Sequence, residues 1–133
     1  MTVPADLYAA AANAHRNAYS PYSHYRVGAG IRLASGEVFG GCNVENASYG
    51  ATICAERSAI MAAVSAHGPI QIVEVLVLTD ASPPWPPCGL CRQVIAEFAS
   101  PDCQVWCCNP GGDVVVRPFS KLFPQGFDAT HMA

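Results

Sequence analysis

Apolar residues recur along this chain with two different periods, and the switches between those periods predict its elements. In the alanine-rich stretch 5–18, Leu7, Ala10, Ala11 and Ala14 fall at helical spacing, which predicts a first helix. The segment Ser20-Pro21-Tyr22-Ser23 breaks it. Residues 27–33 and 38–42 read as two strands around the turn Ser35-Gly36, hence a hairpin. A second helix is predicted over 54–66, stopped by Gly68-Pro69. The run 70–78, rich in Val, Ile and Leu, suits a buried strand. Residues 81–87 carry four prolines and exclude regular structure there. A third helix over 88–98, a strand over 104–108, a turn at 109–113 and a last strand over 114–116 complete the chain.

A single helix joining two buried strands implies a right-handed parallel crossover, and the short final turn suits an antiparallel last pair. The expected fold is therefore α/β, a three-layer α/β/α sandwich built on a mixed five-stranded sheet. With 133 residues and no internal repeat, the chain is expected to form one domain over 1–133.

Composition adds an expectation about the surface. Hydrophobic residues make up 51% and charged residues 13%, against a usual charged fraction of about 25%. A small domain has much surface for its volume, so a chain this poor in charge is expected to hide part of its outside in a subunit interface. The seven basic residues are scattered and the net charge is −3, which argues against a polynucleotide ligand. The apolar runs are far shorter than the ~20 residues of a membrane span. The start, Met1-Thr2-Val3-Pro4-Ala5-Asp6, lacks a basic segment followed by an apolar one, so a cytoplasmic protein with no membrane partner is expected.

Seven cysteines, an odd number, point to thiols used for a metal or for redox chemistry rather than to a disulfide framework. The informative groups are Cys54-Ala55-Glu56 and Pro87-Cys88-Gly89-Leu90-Cys91, each where a helix is predicted to begin. Cys88 and Cys91, three apart, share a helical face. Helix N-termini carry partial positive charge and lower the pKa of nearby thiols. Thiolates from Cys54, Cys88 and Cys91 would hold Zn²⁺ and leave a fourth position for water, as a catalytic site requires. Glu56 lies off the face of Cys54, placed to move protons beside the metal rather than to bind it. Arg57 and Gln93 are candidates to hydrogen-bond the sulfurs and offset the net charge of a three-thiolate zinc site. A lone Cys-x-x-Cys competes with a redox pair, but the added Cys-Ala-Glu favours a zinc deaminase pattern in its three-cysteine form. Cys42, Cys103, Cys107 and Cys108 are read as packed small residues.

The chain resembles the small homotetrameric cytidine deaminases over nearly its whole length. The matching stretches are Tyr19-Ser20-Pro21-Tyr22-Ser23, Val27-Gly28-Ala29, Gly41-Cys42-Asn43-Val44-Glu45-Asn46-Ala47, Cys54-Ala55-Glu56-Arg57, 87–93 and Leu122-Phe123-Pro124-Gln125-Gly126-Phe127. The resemblance implies zinc-dependent hydrolytic deamination of cytidine and deoxycytidine for pyrimidine salvage, with Glu56 as the proton shuttle. It implies that Asn43 and Glu45 bind the ribose hydroxyls and that Tyr25, where the family usually has Phe, stacks on the pyrimidine. It also implies a homotetramer in which Phe127, Ala47 and Tyr49 complete a neighbour's site. Three other readings stay open at this point: a deaminase of a modified nucleoside or of a blasticidin S-like antibiotic, a closed structural zinc site with Cys42 as fourth ligand, and a Cys88–Cys91 oxidoreductase.

Overall fold

Two glycines fix how closely the helices approach the sheet. The computed structural model describes residues 2–132. A first helix, α1 (Ala5–His15), lies so near strand β1 (Val27–Leu33) that a Cβ on Gly28 would stand 2.0 Å from the Ala11 carbonyl oxygen. The next strand, β2 (Val38–Cys42), meets helix α2 (Ala55–His67) in the same way, with a Cβ on Gly41 falling 2.3 Å from the Ala59 nitrogen. Only a residue without a side chain permits either contact. Because α2 is seated this tightly, the residue that opens it is held in a defined place against the sheet.

Strand β3 (Ile72–Thr79), helix α3 (Gly89–Phe98), strand β4 (Ala99–Cys108), strand β5 (Val114–Pro118) and the one-turn helix α4 (Phe119–Leu122) follow. The five strands line up as β2-β1-β3-β4-β5. The pair β3/β4 is parallel and the other three pairs are antiparallel, which is the expected mixed sheet. Along β3 the side chains alternate between two cores, as a period of two demands. Leu76 and Leu78 face α1 with Leu7, Ala11 and Trp106. Val75 and Val77 face the opposite layer with Ala59 and Ile60 of α2, Ile95 of α3 and Phe119 of α4. The expected three layers are present. Among the described residues no helix is long and apolar enough to cross a membrane.

Some boundaries differ from the sequence expectation, each for a local reason. The first helix ends at His15 rather than at residue 18, because the Asn17 and Ala18 amides turn back three residues, to Ala14 and His15. β4 begins at Ala99 rather than at 104: Ala99 pairs with Ile72, and a register irregularity before Glu74 absorbs Pro101 and Asp102. Cys54 and Cys88 sit just outside α2 and α3, as their N-caps, with extended backbones.

Candidate active site

Both N-cap positions place sulfur where two helix N-termini converge. Cys54 gives its carbonyl to the first hydrogen bond of α2 (Ser58 N–H, 3.0 Å), and Cys88 does the same for α3 (Arg92 N–H, 2.9 Å). Cys91, fully buried, lies in the first turn of α3. The three Sγ atoms all lie within 4.8 Å of one another, and Cys54 Sγ stands 3.8 Å from Cys88 Sγ. Two thiolates bound at about 2.3 Å to a tetrahedral Zn²⁺ stand ~3.8 Å apart, so the sulfur set fits that ion. Among the described residues the cluster comprises these three cysteines, and Cys42 is not part of it. A fourth protein sulfur therefore does not close the coordination, which leaves room for water.

The electrostatics of the cluster favour anionic sulfur. Hydrogen bonding from Cys91 pulls the Cys54 thiol down to about 5, with further help from Arg57 and Cys88 and against the effect of burial. The same pairing with Cys54 drives the Cys91 thiol the other way, and burial and the Glu56 charge add to it. A divalent cation replaces the shared protons as the partner of these sulfurs. Arg57 reaches the cluster: Nη2 donates to Cys54 Sγ at 3.5 Å and to the Thr52 carbonyl at 3.3 Å. Gln93 does not reach a sulfur. Its amide donates to the Phe127 carbonyl at 2.9 Å and so ties the C-terminal segment to α3.

Glu56, in the first turn of α2, is 3% exposed. Burial raises its carboxyl to about 7, and the Cys54 thiolate pushes in the same direction while Arg57 and its own backbone amide oppose them. A carboxyl poised near neutrality can both take and return a proton.

A cavity of about 260 Å³ opens beside the cluster at the carboxyl end of β3, where Val77 and Thr79 form part of its wall. Cys54, Cys88, Glu56, Asn43, Glu45 and Tyr25 all line it. Asn43 and Glu45 serve a second purpose there, since both clamp the loop that carries Tyr25. Asn43 Oδ1 accepts the Val27 N–H at 2.9 Å, and its amide donates to the Tyr25 carbonyl at 2.9 Å. Glu45 accepts the Tyr22 and Ser23 amides at 3.0 and 3.1 Å and the Ser23 hydroxyl, which holds its carboxyl below the ordinary range. Ser23 Oγ in turn accepts the Tyr25 N–H at 3.1 Å.

Ala47, Tyr49 and Phe127 do not line this cavity. Tyr49 is 76% exposed and borders an adjoining groove that shares Ser23, Glu45 and Thr52 with the cavity. Phe127 is 56% exposed, its ring stacked on His131. Of the polar residues lining the cavity, Ser23, Thr52 and Thr79 received no role from sequence. Ser23 had a signal, two positions before Tyr25 in a serine-rich turn. Thr79 and Trp85 meet only through the fold, with the Trp85 N–H donated to Thr79 Oγ1 at 3.2 Å.

Comparison with known proteins agrees with this geometry. Residues 1–107 match the family model described as the cytidine and deoxycytidylate deaminase zinc-binding region. A cytidine deaminase of Halalkalibacterium halodurans is 44% identical over 122 residues, covering 92% of each chain. One of Sporosarcina psychrophila is 41% identical over 121 residues, covering 91% of this chain and 88% of that one. A crystal structure of cytidine deaminase from Burkholderia pseudomallei superposes with a TM-score of 0.87 at 42% identity, covering 95% of this chain and all of that one.

Proposed function

Because this chain belongs to the cytidine and deoxycytidylate deaminase family, we propose that it hydrolyses the C4 amino group of cytidine and deoxycytidine, releasing ammonia and the uracil nucleoside. The observation that carries this reading is the meeting of three sulfurs from two helix N-termini with a buried, near-neutral Glu56 at the wall of one cavity. Cys54, Cys88 and Cys91 would hold zinc, which would supply Lewis acidity and make a water beside it acidic near neutral pH.

Glu56 accepts a proton from the attacking water and delivers it to the ring nitrogen N3. Oxygen adds to C4, which becomes tetrahedral. Glu56 then passes the remaining water proton to the amino group, and the C4–N bond breaks as ammonia leaves. Burial raises the Glu56 carboxyl above its ordinary value, which favours its taking the proton from water. Asn43 and Glu45 bind the ribose hydroxyls, and Tyr25 packs against the base. A carboxylate at the sugar end repels phosphate, so free nucleosides are favoured over nucleotides.

The cavity is completed by other copies of the chain in a homotetramer, with Phe127, Ala47 and Tyr49 reaching a neighbour's site. Supporting this are the wide exposure of Tyr19, Tyr49 and Phe127 and the low charge of the chain. The enzyme works on small nucleosides in the cytoplasm, as one domain over residues 1–133. Parallel turnover assays on cytidine, deoxycytidine, cytosine and blasticidin S, with zinc measured on the same sample and mass by ultracentrifugation, test the reading. Turnover of the first two by a zinc-containing tetramer is expected. Turnover of blasticidin S alone, or of none, overturns it.

A further inference from the structure

The cavity wall holds an aromatic residue that the chemistry above leaves without a task. We infer that Trp85 is a specificity-determining residue, standing over the C5 edge of the bound cytosine and limiting the substituents admitted there. The inference rests on the proposed deamination of cytosine nucleosides, because that reaction fixes how the base must lie.

C4 must face the sulfur cluster, N1 must send its sugar toward Asn43 and Glu45, and N3 must meet Glu56. N3 and C5 flank C4 on opposite sides of the ring. Glu56 is 3% exposed and so marks the inner side of the cavity, which turns the C5 edge to the outer wall. Tyr25 and Trp85, each 44% exposed, stand on that outer side, with ring centroids 4.7 Å apart and planes tilted by 45°. Rings already in contact leave no slot between them for a base. They act together as a wall.

The wall is also stiff. Trp85 sits between Pro83-Pro84 and Pro86-Pro87, whose rings lock φ at each flank. Its N–H is held by Thr79 Oγ1 at 3.2 Å, and the Pro87 carbonyl accepts Arg92 Nε–H at 2.7 Å. A mobile loop would yield to a bulky C5 group. A strap pinned at both ends does not.

The test is a competition assay in which cytidine and 5-iodocytidine are mixed and both products are followed, using zinc-loaded wild type, Trp85→Val and Trp85→Phe. The ratio of the two kcat/KM values is independent of how much enzyme is active, and comparison between variants cancels the electronic effect of iodine. Trp85→Val should raise the 5-iodocytidine-to-cytidine ratio roughly tenfold or more, the scale at which an apolar pocket discriminates by size. Trp85→Phe should raise it less. Should Trp85→Val fail to fold, the Trp85→Phe ratio, and the loss in Trp85→Phe of the fluorescence quenching that a bound nucleoside causes in wild type, decide the matter. A ratio unchanged in the folded variants overturns the assignment of Trp85 alone. No cytidine turnover by zinc-loaded wild type overturns the function, and this inference with it.

Discussion

Asn43 donates its side-chain amide to the main-chain carbonyl of Tyr25 at 2.9 Å, while its oxygen receives the Val27 N–H at the same distance. One buried side chain thus bridges both flanks of Arg26 and sets the position of the Tyr25 ring. Truncation of Asn43 to Ala leaves an N–H and a C=O without partners, and each such group costs about 1–3 kcal/mol when buried. Asn43→Ala should therefore lower the urea midpoint and raise KM for cytidine together. A raised KM with an unshifted midpoint would show that Asn43 touches only the substrate.

Arg57 is expected to act on the sulfurs before any substrate arrives. Hydrogen bonding from Cys91 holds the Cys54 thiol near 5, and the Arg57 guanidinium 3.5 Å from Cys54 Sγ adds to that effect, so the sulfur is largely thiolate at neutral pH. After chelation of the metal, the rate of Cys54 alkylation by iodoacetamide should rise with pH around a midpoint near 5, and in Arg57→Gln that midpoint should move upward. Mass spectrometry of the alkylated peptide gives the rate directly.

On the far face of the sheet, an ion-pair network joins the first helix to three strands. Arg32 donates to Asp6 at 2.6 Å and to Glu74 at 2.8 Å, and the Trp106 indole N–H donates to Glu74 at 3.1 Å. The hydrogen bond from Arg32 holds Asp6 below its ordinary 3.8. A carboxyl depressed in the folded state adds stability that is fully present above its unfolded pKa and is lost as pH falls through the folded value. Asp6→Asn should therefore melt below wild type at pH 7, and the two melting curves should converge once the pH falls well below 3.8. An unchanging gap would place the effect elsewhere.

Much of this architecture could be read in advance because it rests on local patterns. β1 and β2 stand where apolar periodicity and the Ser35-Gly36 turn put them, since a short hairpin is settled by neighbours in sequence. The first half of β4 was not legible: Pro101 and Asp102 break the strand pattern, and its pairing with Ile72 is a contact across 27 positions of chain. The one-turn helix α4 is too short to show a period. In the site, the metal cluster was legible because each half is a compact motif at a helix start. Gln93 shows the limit of that logic. Its place one turn inside α3 suggested a sulfur, yet its amide is taken by Phe127, 34 residues on. The contact of Trp85 with Tyr25 likewise exists only once the strap after β3 folds back over the cavity.

The central claim is that Glu56 moves protons beside a zinc held by three cysteines, and one measurement tests it most directly. Cytidine turnover and zinc content are determined on the same preparations of wild type and Glu56→Gln. One zinc per chain in both, with turnover in the variant reduced at least ~10²-fold, is the predicted result. A zinc-replete Glu56→Gln protein that deaminates cytidine at the wild-type rate, or an active wild type without zinc, would contradict it.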